Sequence, residues 1–172
     1  MKNNFFYILA IGILIFIAGT GLGLLFFYFF KEESVFIINK FKILQNFFGI
    51  SEYQEGMSYW YIFAVILFGN IISTICYIVL GYLRILIPIS FITGFFIVIF
   101  LMSGTIRHSM ALPLEVIILS SAESFYRILA LSTGEHIQKN KFKNKAAPVT
   151  SFIVIFLIFL ASVFYEMHQI FG

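Results

Sequence analysis

The chain has 172 residues, of which 61% are hydrophobic and only 11% are charged, and its mean hydropathy is +1.02. Soluble domains are about half apolar and about a quarter charged, so this composition excludes an ordinary soluble domain. The formal net charge of +3 sits in a few short segments, which favours contact with lipid headgroups and argues against nucleic-acid binding. We therefore predict an all-α, polytopic membrane helix bundle that forms one domain over residues 1–172.

The first predicted span, residues 5–30, carries no charge. It is too long for the apolar region of a signal peptide, so the sequence predicts a retained membrane anchor. Gly19 and Gly23 lie one helical turn apart within it. This small-residue spacing predicts that the backbone of a neighbouring helix approaches closely.

Residues 31–58 mix charges with apolar residues at helical spacing, namely Phe36, Ile37, Phe41, Leu44, Phe47 and Phe48. The pattern predicts an amphipathic helix. Two placements are open for it, one at the membrane surface and one as a cap packed over the helix bundle.

Residues 59–106 contain a single charge, Arg84, and are about twice as long as one span, so they must fold back. We place the turn between Gly81 and Pro88, because glycine relaxes the backbone and proline suits the first turn of a helix. The predicted spans are residues 59–83 and 85–106. Asn70, in the first of them, is expected to bond helices together rather than bind a ligand.

The fourth predicted span, residues 111–133, is the least apolar, since it contains Pro113, Glu115, Glu123 and Arg127. The two glutamates are separated by only about 80° around a helix, and Arg127 follows Glu123 by one turn. Placing an ionisable side chain at membrane depth costs about 2.5–3.5 kcal/mol, so such side chains normally pair with one another or belong to a functional site. One interpretation is an ion, proton or substrate path. The other is a Glu123–Arg127 pair that holds the bundle together, with Glu115 near the interface.

A basic loop at residues 138–148 precedes the last predicted span, residues 149–167, with Pro148 just ahead of that helix. The loop carries Lys139, Lys141, Lys143 and Lys145. With five spans, it shares a side with Lys2 and Arg84, and the positive-inside rule makes that side cytoplasmic. We predict a multi-pass cell-membrane protein with a cytoplasmic amino terminus and an external carboxy terminus.

Two stretches resemble the stage II sporulation protein M family of integral membrane proteins. The first contains Asn70, Gly81 and Pro88, followed by Gly94 between two phenylalanines; the second contains Leu112, Pro113, Glu115 and Ala122. The second stretch lacks the His and Gly that follow the proline in the family, and its Glu comes sooner. The resemblance spans about residues 62–127.

The resemblance implies a multispan scaffold with Asn70, Gly94, Pro113 and Glu115 as structural or partner-contact residues. In spore-forming bacteria the family member localises a complex of peptidoglycan-degrading enzymes, and we carry over only the class.

The leading functional prediction is a non-enzymatic membrane scaffold or assembly factor with no cofactor and no metal site. Its expected partners are the lipid bilayer, other membrane or envelope proteins and further copies of the chain. A small transporter or channel subunit using Glu115, Glu123 and Arg127 is the alternative. The sequence has one cysteine, Cys76, and no paired Cys/His spacing, Walker loop or Gly-x-Ser-x-Gly motif.

Overall fold

The computed structural model describes residues 4–47, 58–108, 112–141, 143 and 145–171. In these residues the chain forms six α-helices and no strand: α1 (Phe5–Phe29), α2 (Lys31–Phe47), α3 (Tyr59–Tyr82), α4 (Leu86–His108), α5 (Leu114–Asn140) and α6 (Ala146–Phe171). The prediction of an all-α fold is confirmed.

Four of these helices are long and apolar enough to cross a membrane, namely α1, α3, α4 and α6. They are compatible with a multi-pass membrane protein. The helix that covers the fourth predicted span, α5, does not meet this test, so a count of five spans is not confirmed by length and composition.

The ends of the apolar helices lie close to the charges and glycines that mark them in the sequence. The turn between α3 and α4 falls where we predicted it, with Pro88 in the first turn of α4. The residue that adopts positive φ there is Arg84, at 62°. Gly81 lies inside α3 instead, where its role is packing.

The two helices around the basic loop are longer than predicted. α5 continues to Asn140, past the predicted end at residue 133, and Lys141 follows it in the left-handed conformation. α6 begins at Ala146, so Pro148 lies inside its first turn rather than ahead of it. Proline is tolerated in that turn because its missing N–H would have no partner within the helix.

Two pairs of helices run parallel to each other. Gly19 and Gly23 of α1 lie against the backbone of Phe91 and Phe95 of α4, so both helices advance in the same direction. In the same way, Asn70 of α3 contacts Tyr126 of α5, and Gly81 lies further along against Leu131.

α5 is the central helix of the bundle. It packs on α1, α3, α4 and α6, and its residues from Ile128 to Ile137 are all buried. It starts shortly after α4 ends and finishes beside the turn that starts α4, where the Arg84 guanidinium donates a hydrogen bond to Gln138. α5 therefore runs the length of the bundle, parallel to α3.

One end of the molecule carries Arg84, Lys139, Lys141, Lys143 and Lys145, and we call it the basic end. It is formed by the start of α1, the α3–α4 turn, the end of α5 and the start of α6. Phe5 meets His136 there with ring centroids 5.5 Å apart, and the side chains of Lys141, Lys143 and Lys145 are exposed.

The helix α2 follows α1 after a break at Phe30 and contacts α4 near the opposite end. Ser34 and Ile38 are buried, whereas Phe36 and Phe41 are exposed. One face of the helix therefore packs on the bundle, as in the second placement, while Phe36 and Phe41 point outward. Residues 48–57 of the predicted amphipathic segment lie outside the described residues.

Candidate functional site: the polar face of α5

The buried part of α5 satisfies much of its polarity within the helix itself. The hydroxyls of Ser132 and Thr133 donate to the carbonyls of Ile128 and Leu129 at 2.8 and 2.7 Å. Glu135 forms an ion pair with Lys139 one turn later. These local bonds reduce the cost of burying polar side chains, so a helix of modest hydropathy can occupy the centre of the bundle.

A buried hydrogen bond joins α5 to α3. The Tyr126 hydroxyl donates to Oδ1 of Asn70 at 2.9 Å, and the two side chains are 0% and 8% exposed. In a low-dielectric interior each group would be costly to leave unpaired. The contact links two polar residues that are far apart in the sequence.

An ion pair lies beside this bond on the α6 side of the helix. The Arg127 Nη2 atom is 3.1 Å from Oε2 of Glu123, and about one fifth of each side chain is exposed. The guanidinium also lies 5.9 Å from the centre of the Tyr126 ring. Arg127 Nε is buried and has no hydrogen-bond partner among the described residues.

Glu166 of α6 adds a third ionisable side chain to this group. Its carboxyl group is near enough to Glu123 and Arg127 to interact with them electrostatically across the α5–α6 contact. We call Asn70, Glu123, Tyr126, Arg127 and Glu166 the polar cluster. It connects α3, α5 and α6.

Glu115 and Pro113 are not part of the polar cluster. Pro113 occupies the N-cap position of α5, and Glu115 lies exposed in the first turn. A carboxylate there is favoured by the positive end of the helix dipole. The structure therefore brings together Asn70, Glu123 and Arg127 from the predicted residues and leaves Glu115 about two turns away.

The remaining predicted residues are glycines at the α1–α4 contact. A Cβ atom on Gly23 would lie 2.7 Å from the Phe95 carbonyl oxygen, and one on Gly19 would overlap the carbonyl of Phe91. Gly94 faces back towards α1, where a Cβ would overlap the carbonyl of Phe16. The three glycines thus interlock the two backbones.

A second glycine contact, between α3 and α5, was only partly evident from the sequence. Cβ atoms on Gly81 and Gly134 would overlap the carbonyls of Leu131 and Ile78, respectively. The sequence indicated Gly81 as a turn residue and as part of the family resemblance, and it did not indicate Gly134 as a contact residue. The available signal was Gly134 itself. Glycine is conformationally costly inside a helix, so its presence there often marks a close contact between two helices.

Sequence reasoning also missed Tyr126 and Glu166 as members of the polar cluster. The signal for Glu166 was an acidic residue at the end of an otherwise apolar span, which normally needs a partner. Tyr126 gave no comparable signal, because the sequence does not show that its hydroxyl reaches another helix.

Two of the cavities in the described part of the bundle open beside α5. One, of about 680 Å³, lies at the basic end between α1 and α6, and the other, of about 360 Å³, lies between α1 and α4. Neither is lined by Asn70, Glu123, Arg127 or Glu166. Within the described residues there is no group of three or more His, Cys, Asp or Glu side chains that could hold a metal ion.

Comparison with known proteins gives no match: no family model, curated protein or solved structure resembles the chain significantly. The four long apolar helices suggest a multi-pass helical membrane protein.

Proposed function

We propose that the protein is a non-enzymatic integral membrane scaffold or assembly factor. The observation that carries this proposal is that polar groups inside the bundle pair with one another, either between helices or within one helix. Asn70 bonds to Tyr126, and Glu123 pairs with Arg127. A transport path needs polar groups along a cavity, whereas these residues do not line the cavity between α1 and α6 or the one between α1 and α4.

The resemblance to the stage II sporulation protein M family supports the same class of function. Its residues Asn70, Gly81 and Gly94 are helix-contact positions in this fold. A rigid bundle with interlocked backbones suits a protein that holds partners in place. The exposed aromatic residues of α2, Phe36 and Phe41, offer a surface for other membrane or envelope proteins at the end of the bundle opposite the basic end.

The proposal includes five membrane crossings in the cell membrane, with the basic end in the cytoplasm. α5 supports this count because it runs from one end of the bundle to the other, parallel to α3. A helix surrounded by four others need not be apolar on every face, since protein rather than lipid covers its polar groups. The lysines at its end satisfy the positive-inside rule.

Two measurements test the function. A photo-crosslinking amino acid placed at Phe36 or Phe41 should give adducts of discrete mass in native membranes. The same group at Ile153, on the exposed face of α6, should label lipid. The purified protein in liposomes should move neither protons nor cations. Flux that Glu123→Gln abolishes, while Glu115→Gln leaves it intact, would contradict the scaffold and favour a transporter built on the polar cluster.

A further inference from the structure

The cavity at the basic end lies in a groove between two helices that both pack on α5. α1 and α6 form its sides and α5 forms its floor. Its apolar wall includes Leu9, Leu129 and Val154, and its polar wall includes Asn140, Thr150 and Ser151. A volume of about 680 Å³ is within the range of pockets that hold small ligands, roughly 300–1,000 Å³.

A buried hydroxyl in this cavity has no partner. Ser151 is 3% exposed, and its Oγ atom makes no hydrogen bond within the described part of the chain. Buried polar groups are normally bonded, and leaving one unpaired costs about 1–3 kcal/mol. An oxygen-bearing ligand in the cavity would remove this cost.

The surroundings of the cavity mouth are positively charged. Lys145 directly precedes Ala146, which lines the cavity, and Lys141 directly follows Asn140 on the other side. Both lysines are exposed, and the first turn of α6 contains no acidic residue. The positive end of the α6 dipole adds to the attraction for an anion.

We propose that this groove binds one anionic phospholipid. The phosphate lies at Lys141, Lys145 and the start of α6, and an ester carbonyl accepts the hydrogen bond of Ser151. One acyl chain follows the apolar wall. The spacing suits this arrangement, because Ser151 is six residues beyond Lys145, or about 9 Å along a helix, which separates a phosphate from the upper part of the acyl chains.

Native mass spectrometry can test the proposal on the full chain, released from nanodiscs that contain equal amounts of phosphatidylglycerol and phosphatidylcholine. We expect one retained phosphatidylglycerol per protein. The double variant Lys141→Ser, Lys145→Ser should lower its retention roughly 30-fold, because each lysine near an anionic headgroup contributes about 1 kcal/mol and about 1.4 kcal/mol is a factor of ten. Lys31→Ser with Lys40→Ser removes the same charge at the opposite end and should leave retention unchanged.

A second pair of variants tests the groove itself. Ala147 lines the cavity, whereas Val149 is exposed on the same helix and does not line it. Ala147→Trp should displace the lipid, and Val149→Trp should not. Equal retention of both lipids, or equal loss in the two lysine pairs, would overturn the proposal. So would a dimer that Ala147→Trp dissociates without changing lipid retention, since the occupant would then be a second copy of the chain.

Discussion

At the scale of single residues, Glu123 and Arg127 show how a charge is accommodated inside the bundle. Their ion pair is formed within one helix, so it requires no precise docking of a second element. The partly buried guanidinium then lies against the Tyr126 ring. Arg127 depends on Glu123 more than an exposed arginine would, because its Nη2 atom bonds to Glu123 while its buried Nε atom has no hydrogen-bond partner among the described residues.

Removing one partner of this pair should destabilise the protein more than removing both. We expect Glu123→Leu or Arg127→Leu to cost on the order of 2–4 kcal/mol, between the values for exposed and fully buried pairs. The double variant should lose less than either single variant, since it leaves neither member of the pair without the other. Melting temperatures in detergent of the two single variants and the double variant, each compared with the parent, complete the double-mutant cycle.

Additive losses would be inconsistent with a structural pair. A double variant that melts like the parent but fails in the cell would show that the two charges serve function. Glu115→Leu is the matched control, because Glu115 is exposed in the first turn of the same helix and should have little effect.

The sequence predicted this pair because its spacing is local, whereas the third charge depends on tertiary structure. Glu123 and Arg127 are one turn apart, and helix geometry alone brings such residues together. Glu166 comes from another helix, and no local rule places it near α5. For the same reason, the bonding role of Asn70 could be expected from the sequence, whereas the identity of its partner, Tyr126, could not.

At the scale of helices, the parallel pairs depend on glycines that let two backbones touch. Gly81 and Gly134 each face the backbone of the other helix, and Gly19, Gly23 and Gly94 do the same between α1 and α4. Within lipid there is little hydrophobic force to drive one helix onto another, so close van der Waals packing is the main attraction.

Alanine at the contact glycines should therefore weaken the bundle, while alanine at other glycines of the same helices should not. Among the described residues, no atom outside the glycine's own stretch of helix backbone lies within 4 Å of a Cβ added to Gly69 in α3, Gly21 in α1 or Gly104 in α4. We expect Gly81→Ala and Gly19→Ala to cost about 1–3 kcal/mol through overpacking. Gly69→Ala and Gly21→Ala should be neutral or gain up to about 1 kcal/mol, because alanine favours the helix.

Thermal unfolding in one detergent compares each contact glycine with its control. Equal effects of Gly81→Ala and Gly69→Ala would mean that helix propensity, and not the α3–α5 contact, decides stability. Gly94→Ala and Gly104→Ala repeat the comparison on α4.

The ends of the helices were easier to predict than the contacts between helices. Charges and prolines interrupt apolar runs, which is why α1 and α3 end within a residue or two of their predicted limits. α5 was harder, because its polar residues are paired in three dimensions and its hydropathy does not reveal burial. The close approach of Gly81 and Gly134 similarly requires knowledge of which helices are neighbours.

At the scale of the whole molecule, the position of α5 predicts which segments lie on the same side of the membrane. In a Cys76→Ser background, we expect Lys143→Cys to react with an impermeant thiol reagent only after the cells are permeabilised. Glu115→Cys and Lys31→Cys should react in intact cells. The reason is that α5 begins at one end of the bundle and ends at the other.

Labelling of Glu115→Cys and Lys143→Cys from the same side would show that α5 does not cross the membrane. Reaction of Lys143→Cys in intact cells, with Glu115→Cys protected, would instead keep five crossings and invert the orientation.

The order of synthesis determines which helices are already present to cover the buried polar face of α5. α1 and α3 precede α5 on the ribosome, so the partner of Tyr126 and the backbone that receives Gly134 already exist when α5 emerges. α6, which meets the side that carries Arg127, is made after α5. Because charged residues partition poorly from the translocon into lipid, a membrane-spanning α5 would not insert by its own hydropathy. Under the proposed five-span topology, we therefore expect α5 to insert stably only once α6 has been made.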